Sequence, residues 1–176
     1  MTTDHAKDQA QVQAETIIEL MAAANLDFDR LEELREERAD FLSATEDPES
    51  EDETAAAILA LAQWNEENRA ELNEMEHAAG DYKSQEEAQE AIQEYALSVE
   101  VRGGWHVPGD DDEAAEFKIV LCTGGPHVEI VGKLDEYLQP CRAWIQYQDW
   151  GTPMTQYFDV EQSTLDEFCQ YFYFGE

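Results

Sequence analysis

Apolar positions between residues 8 and 24, namely Val12, Ile17, Ile18, Leu20 and Met21, recur at a helical interval. Leu31, Leu34, Phe41 and Leu42 carry the same period through residues 26–42, so two helices joined near Asn25 are predicted. Residues 45–53 then combine a proline with six acidic side chains and no apolar one, the composition of a solvated linker. A third helix is expected from about residue 54 to residue 79, with Ile58, Leu59, Leu61, Ala62, Trp64, Leu72 and Met75 as its apolar positions and Gly80 as its stop. Ser84 and Glu87 have capping-box spacing, which predicts a fourth helix over 85–95.

After Ala96 the period changes. Leu97, Val99 and Val101 alternate with polar residues up to Gly103, and further strands are predicted over 117–122, 128–131 and 142–148. Turn chemistry separates them at Pro108-Gly109-Asp110, Gly124-Gly125-Pro126 and Gly151-Thr152-Pro153, so a hairpin or meander sheet is the simplest topology. A second capping-box spacing, Thr164 with Glu167, precedes Leu165, Phe168, Cys169 and Phe172 at helical spacing. The expected fold is therefore α+β: an acidic helical region over 1–95, and over 96–176 a small, mainly antiparallel sheet with a C-terminal helix.

Composition changes the picture in one respect. The 176 residues carry 42 Asp and Glu against 10 Lys and Arg, a formal net charge of −32. Self-repulsion at that density opposes compaction, and a potential of this sign repels nucleic acid and anionic membrane while attracting basic partners. Direct nucleic-acid or membrane binding is thus not expected; a basic nucleic-acid-binding protein is the expected partner, and a homodimer is admitted. Of the 42 acids 28 precede residue 101, with 6 of the 10 bases, so the first part is the more acidic. No apolar run approaches the roughly 20 residues of a membrane span, and the N-terminus has no basic-then-apolar leader pattern, which points to the cytoplasm. Three widely spaced cysteines, Cys122, Cys141 and Cys169, suit buried free thiols in a reducing compartment.

Glu32, Glu33, Glu36, Glu37 and Asp40, and further along Glu66, Glu67, Glu71 and Glu74, fall where helical neighbours three and four apart share a face. Duplex DNA presents one charge per roughly 1.7 Å of axis, and such carboxylate rows can imitate it. The ordinary reading is a solvated face, but the third helix has Arg69 as its one Lys or Arg to offset its acids. Trp144, Asp149 and Trp150 add side chains typical of interface anchors, with Trp144 alternating against Ile145 and Tyr147 so that one face is core. No catalytic group, metal site or cofactor is expected. Asp110-Asp-Asp-Glu113 lacks the spacing of a calcium loop, Cys122 with His127 lacks a third orienting group, and Gly124-Gly125 lacks the rest of a phosphate-binding fingerprint.

Ser98-Val-Glu-Val-Arg102 with Trp105, Leu121-Cys-Thr-Gly-Gly-Pro126, Ala143-Trp-Ile-Gln-Tyr-Gln-Asp-Trp-Gly-Thr-Pro153 and the terminal segment 168–176 together resemble a family of small acidic proteins of bacterial mobile elements and prophages. The resemblance spans roughly residues 97–176, and Met154 departs from it where an aromatic often follows Gly-Thr-Pro. It implies a setting in which restriction and CRISPR systems must be evaded. On this reading the chain is a non-catalytic DNA mimic that inhibits a nucleic-acid-binding host defence protein. An acidic scaffold of a mobile element and a salt-adapted protein without mimicry are the alternatives; the excess of Glu over Asp fits salt adaptation poorly.

Overall fold

The computed structural model describes residues 5–46, 50–108 and 114–175. In chain order its elements are α1 (His5–Ala24), α2 (Phe28–Glu46), α3 (Glu51–Ala79), α4 (Gln85–Tyr95), β1 (Ser98–Gly103), β2 (Ala114–Cys122), β3 (His127–Leu134), β4 (Pro140–Gln148), β5 (Thr155–Tyr157) and α5 (Gln162–Cys169). The fold is α+β, helices first and then a five-stranded antiparallel meander with strands in sequence order. Contacts divide the chain into two compact units, residues 22–87 and residues 1–21 with 88–176. The first helix is thus grouped with the sheet, although it is far from it in sequence.

The reason lies in alanine. Along the first half of α1 the buried positions are Ala6, Ala10 and Ala14, with Gln13 among them; Ile17, Leu20 and Met21 are buried further on, as expected, whereas Val12 and Ile18 are exposed. A stripe of alanines presents little apolar bulk, so Val12 and Ile18 mislead a hydrophobic period there, but small residues at i, i+4 let a helix approach its neighbour closely. Gln13 accepts a 2.6 Å hydrogen bond from the Tyr95 hydroxyl, which satisfies a buried amide within this unit.

Residues 22–87 form a helical hairpin. Leu31 and Leu34 of α2 pack with Trp64, Leu72 and Ala79 of α3, flanked by Leu26, Phe28, Phe41 and Met75. Ile58 and Leu59 are exposed, since the inward stripe of α3 continues from Trp64 backwards at helical spacing through Leu61 and Ala57, not through them. The predicted linker at 45–53 is also shorter. α2 runs through Glu46, and α3 starts at Glu51 with Ser50 as its cap, the Glu53 amide donating to Ser50 Oγ at 3.3 Å. Glu51, Asp52 and Glu53 sit in the first helical turn, where the unpaired amides and the helix dipole favour carboxylates. Acidic residues that read as a linker thus initiate a helix; residues 47–49 of that stretch lie outside the described residues. Gly80 stops α3 at φ 56°, and Ser84 accepts from the Glu87 amide, as the sequence led us to expect. Glu87 in turn reaches the Lys83 amide at 2.8 Å.

The sheet buries one face. Phe117, Ile119, Val128, Ile130, Ala143 and Ile145 point to the same side and meet Leu165, Phe168 and Cys169 of α5. Phe174 rests on Phe117 with ring centres 4.5 Å apart, and Phe168 meets Tyr95 edge-on at 6.4 Å. Gly132 has to be glycine, because a Cβ there would collide with the Phe117 ring and the Arg142 carbonyl. The terminal helix departs from expectation at its start: Glu161 occupies the cap position with no side-chain cap hydrogen bond, so Thr164 is inside the helix. β5, three residues long, has too little alternation to be read from sequence.

Replacing Phe168 with Ala should remove about 3–5 kcal/mol of stability, the usual cost of deleting a fully buried aromatic. Val12→Ala should leave the urea midpoint nearly unchanged, and a large loss there would contradict the alanine-stripe packing of α1. Raising ionic strength should raise the melting temperature, because screening relieves repulsion among the carboxylates.

Candidate partner-binding surfaces

On α2 the inward positions Leu31, Leu34 and Phe41 turn Glu32, Glu33, Glu36 and Asp40 outward, and Glu37 to one flank. On α3 the inward stripe of Trp64, Leu72 and Met75 leaves Glu66, Glu67 and Glu74 outside and Glu71 at the flank. All nine carboxylates are exposed. They are not equivalent, however. Arg30 binds Glu71 across the hairpin at 3.0 Å and Glu33 along its own helix at 3.3 Å. Arg35 bridges to Glu76 at 3.6 Å and to Glu32 at 3.9 Å. Glu37 accepts from the Trp64 indole at 2.9 Å, which places the polar end of a buried ring at the seam. Glu67 accepts from Gln63 at 3.3 Å. Glu36, Asp40, Glu66 and Glu74 make no ion pair among the described residues, and together they form the least compensated part of the hairpin surface.

The bases that α3 lacks are therefore supplied by α2. A search for i,i+4 partners along α3 misses them, since Arg30 and Arg35 reach across from the other helix.

Trp144, Asp149 and Trp150 do not form one patch with one another. Trp144 is half-buried on the open face of the sheet, pointing away from Ala143 and Ile145, with the Arg142 guanidinium 5.9 Å from its ring centre. Asp149 and Trp150 lie in a tight loop at the end of the sheet. The Asp149 carboxylate accepts from the Trp150 amide at 2.7 Å, and Thr152 Oγ1 accepts from the Asp149 amide at 3.0 Å. The Trp150 indole occupies the space that a side chain at Gly125 would need, and is nevertheless 82% exposed. The Gly124-Gly125 turn and the Asp149-Trp150-Gly151 loop, separate in sequence, are thus one structure. They enclose a hollow of about 430 Å³ together with His127, Gln148 and Met154.

The open face carries a feature that composition does not reveal. Strand register aligns Arg102, Glu116, Lys133 and Arg142 in one row, Glu100, Lys118, Val131 and Trp144 in the next, and Ser98, Val120, Glu129 and Gln146 in a third. Directly paired residues share a face, so all four Lys and Arg after residue 100 project from the same side of the sheet. Lys118 binds Glu100 at 2.8 Å, and Arg102 Nε binds Glu116 at 2.6 Å. The Lys118 ammonium holds the Glu100 carboxyl below the usual carboxylate range, and Glu100 raises Lys118 in turn. Glu129, buried on this face, accepts from Gln146 at 2.6 Å and pairs with His127 at 2.7 Å.

Cys122 and His127 are not brought together. Cys122 is in register with Val128, whose side chain is in the core, and His127 with Gln148 on the open face. Cys122 donates to the Pro126 carbonyl at 3.5 Å, and burial raises its thiol, which reduces the thiolate available for attack. Cys169 is buried and its thiol raised as well, whereas Cys122 is half-buried and Cys141 exposed, so one of the three expected buried thiols is fully buried. Among the described residues no group of three or more His, Cys, Asp or Glu is placed to hold a metal ion; the run 110–113 lies outside them. Among those residues, too, no helix is long and apolar enough to cross a membrane.

A disulfide-exchange reagent at mildly alkaline pH should label Cys141 rapidly and Cys122 and Cys169 only slowly, since a raised thiol pKa lowers the thiolate fraction at any pH below it. Peptide mapping would check the order, and rapid labelling of Cys169 would contradict its burial. Comparison of the chain with family models, curated proteins and solved structures returns no match.

Proposed function

We propose that the chain is a non-catalytic acidic binding protein that imitates the nucleic-acid backbone and occupies the basic groove of a nucleic-acid-binding host defence protein of restriction or CRISPR type. The observation that carries this reading is the outward face of the α2–α3 hairpin. Residues 22–87 hold half of all the acids, 21 of 42, with 5 of the bases. Two of those bases, Arg30 and Arg35, lie along the seam, where they tie the helices together. Glu32, Glu36 and Asp40 succeed one another at i, i+4, a rise of about 6 Å per step. A regularly spaced, rigidly mounted row of carboxylates is what a groove lined with Lys and Arg is built to receive. The charge sets the rate of encounter, and an exposed ring such as Trp150 supplies a specific contact.

The test begins with capture of a partner at low salt, followed by competition with duplex DNA. DNA should displace the protein, and the association rate should fall steeply as salt rises. Changing the uncompensated acids together, Glu36→Gln, Asp40→Asn, Glu66→Gln and Glu74→Gln, should slow association about tenfold or more with little effect on folding. Arg30→Gln with Arg35→Gln should act in the opposite direction and speed association, because their removal adds net negative charge, while lowering the melting temperature of the hairpin modestly, as expected of exposed pairs. A partner that binds equally well with its groove filled by DNA, or that is indifferent to the quadruple change, overturns the reading.

A further inference from the structure

β1 is an edge strand. It pairs with β2 on one side, and among the described residues no strand pairs with its other side. Five of its six residues are exposed, and its apolar side is uncovered: Val101 is 47% exposed, and Leu97, Val99, Trp105 and Val107 are exposed with it. Soluble proteins normally protect such an edge with charge, proline or a covering element, because free strand N–H and C=O groups recruit another strand. Here no proline interrupts the strand, and its two charged residues, Glu100 and Arg102, are of opposite sign on the same face.

We propose that this edge pairs with β1 of a second copy, antiparallel about a twofold axis at Val101, to form a continuous ten-stranded sheet. The charges select the register. Antiparallel partners share a face, so the axis has to pass through a residue and not between two. Centred on Glu100, the pairing sets that carboxylate against its own copy; centred on Arg102, it sets guanidinium against guanidinium. Centred on Val101, it sets Glu100 opposite the partner's Arg102, and Arg102 opposite the partner's Glu100. The existing bridges to Lys118 and Glu116 then extend into two rows of alternating sign across the seam. One runs from Lys118 through Glu100 to the partner's Arg102 and the partner's Glu116, and the other is its mirror about the axis. On the opposite face Val101 meets its own copy, and Val99 lies over the partner's Gly103, where there is room for it.

The occupant follows from charge as well. A second chain of net charge −32 is repelled by most of this surface, but the open face of the sheet gathers four bases against Glu100, Glu116 and Glu129. It is a surface that a like-charged chain can approach, and β1 borders it. A basic partner, by contrast, has no reason to prefer this edge. The inference is independent of the mimicry reading, which rests on the hairpin.

Sedimentation equilibrium or light scattering of the whole chain, from micromolar to millimolar concentration, tests it. The wild type should be a dimer, and Arg102→Glu, which places like charges opposite each other in both rows, should be a monomer with an unchanged far-ultraviolet spectrum. Val101→Lys, which puts two ammonium groups face to face at the axis, should also be a monomer. A wild type that stays monomeric throughout this range overturns the proposal, and so does a dimer that survives both substitutions. If Arg102→Glu loses its fold, Val101→Lys decides alone, because its side chain is already half exposed to solvent.

Discussion

Mutual repulsion among carboxylates governs the structure, and the positions of the few bases show how it is contained. With 42 acids and 10 bases, most charges have no partner, so where the bases stand matters more than how many they are. Arg30 and Arg35 stand on the seam of the helical hairpin, each gripping a glutamate of α3. Arg102, Lys118, Lys133 and Arg142 stand together on one face of the sheet. These six of the ten bases stand where helices or strands lie side by side, and most of the remaining acids are turned to solvent, where water and counterions screen them. Exposed ion pairs contribute little energy by themselves; at these seams they lessen a repulsion that would otherwise oppose the packing.

The arrangement that results separates the side chains that hold the fold from those that face solvent. The hairpin core is a narrow stripe of Leu31, Leu34, Trp64, Leu72 and Ala79, and the exposed acids occupy other positions of the same helices. In the sheet unit, one face and α5 supply the aromatic core, and the Trp150 loop is stiffened by its own hydrogen bonds, so that an exposed ring is held against Gly125. Such a surface can recognise a partner without disturbing the packing beneath it.

Much of this was legible in the sequence. The change of period after Ala96 marked the passage from helices to sheet, Gly80 and Ser84 marked helix ends, and alternation correctly separated Trp144 from Ala143 and Ile145. Three things were not. The buried face of α1 is legible at Ile17, Leu20 and Met21, but its first half is built of alanines, which carry too little hydrophobic signal to outweigh Val12. The acids from Glu51 to Glu53 look like linker until the cap at Ser50 shows them as a first helical turn. The gathering of four bases on one face depends on strand register, which brings Arg102, Glu116, Lys133 and Arg142 into line from four strands; no local window contains that information. The approach of Trp150 to Gly125 is hidden for the same reason.

Trp64 has a consequence of another kind. It is the lone tryptophan of residues 22–87, nearly enclosed and hydrogen-bonded to Glu37, whereas Trp105, Trp144 and Trp150 all belong to the sheet unit and are more open. The molecule therefore carries its own pair of optical reporters. Emission from the enclosed indole follows the integrity of the hairpin, emission from the open ones follows the sheet and whatever touches it, and their different access to quenchers lets the two signals be told apart without a label.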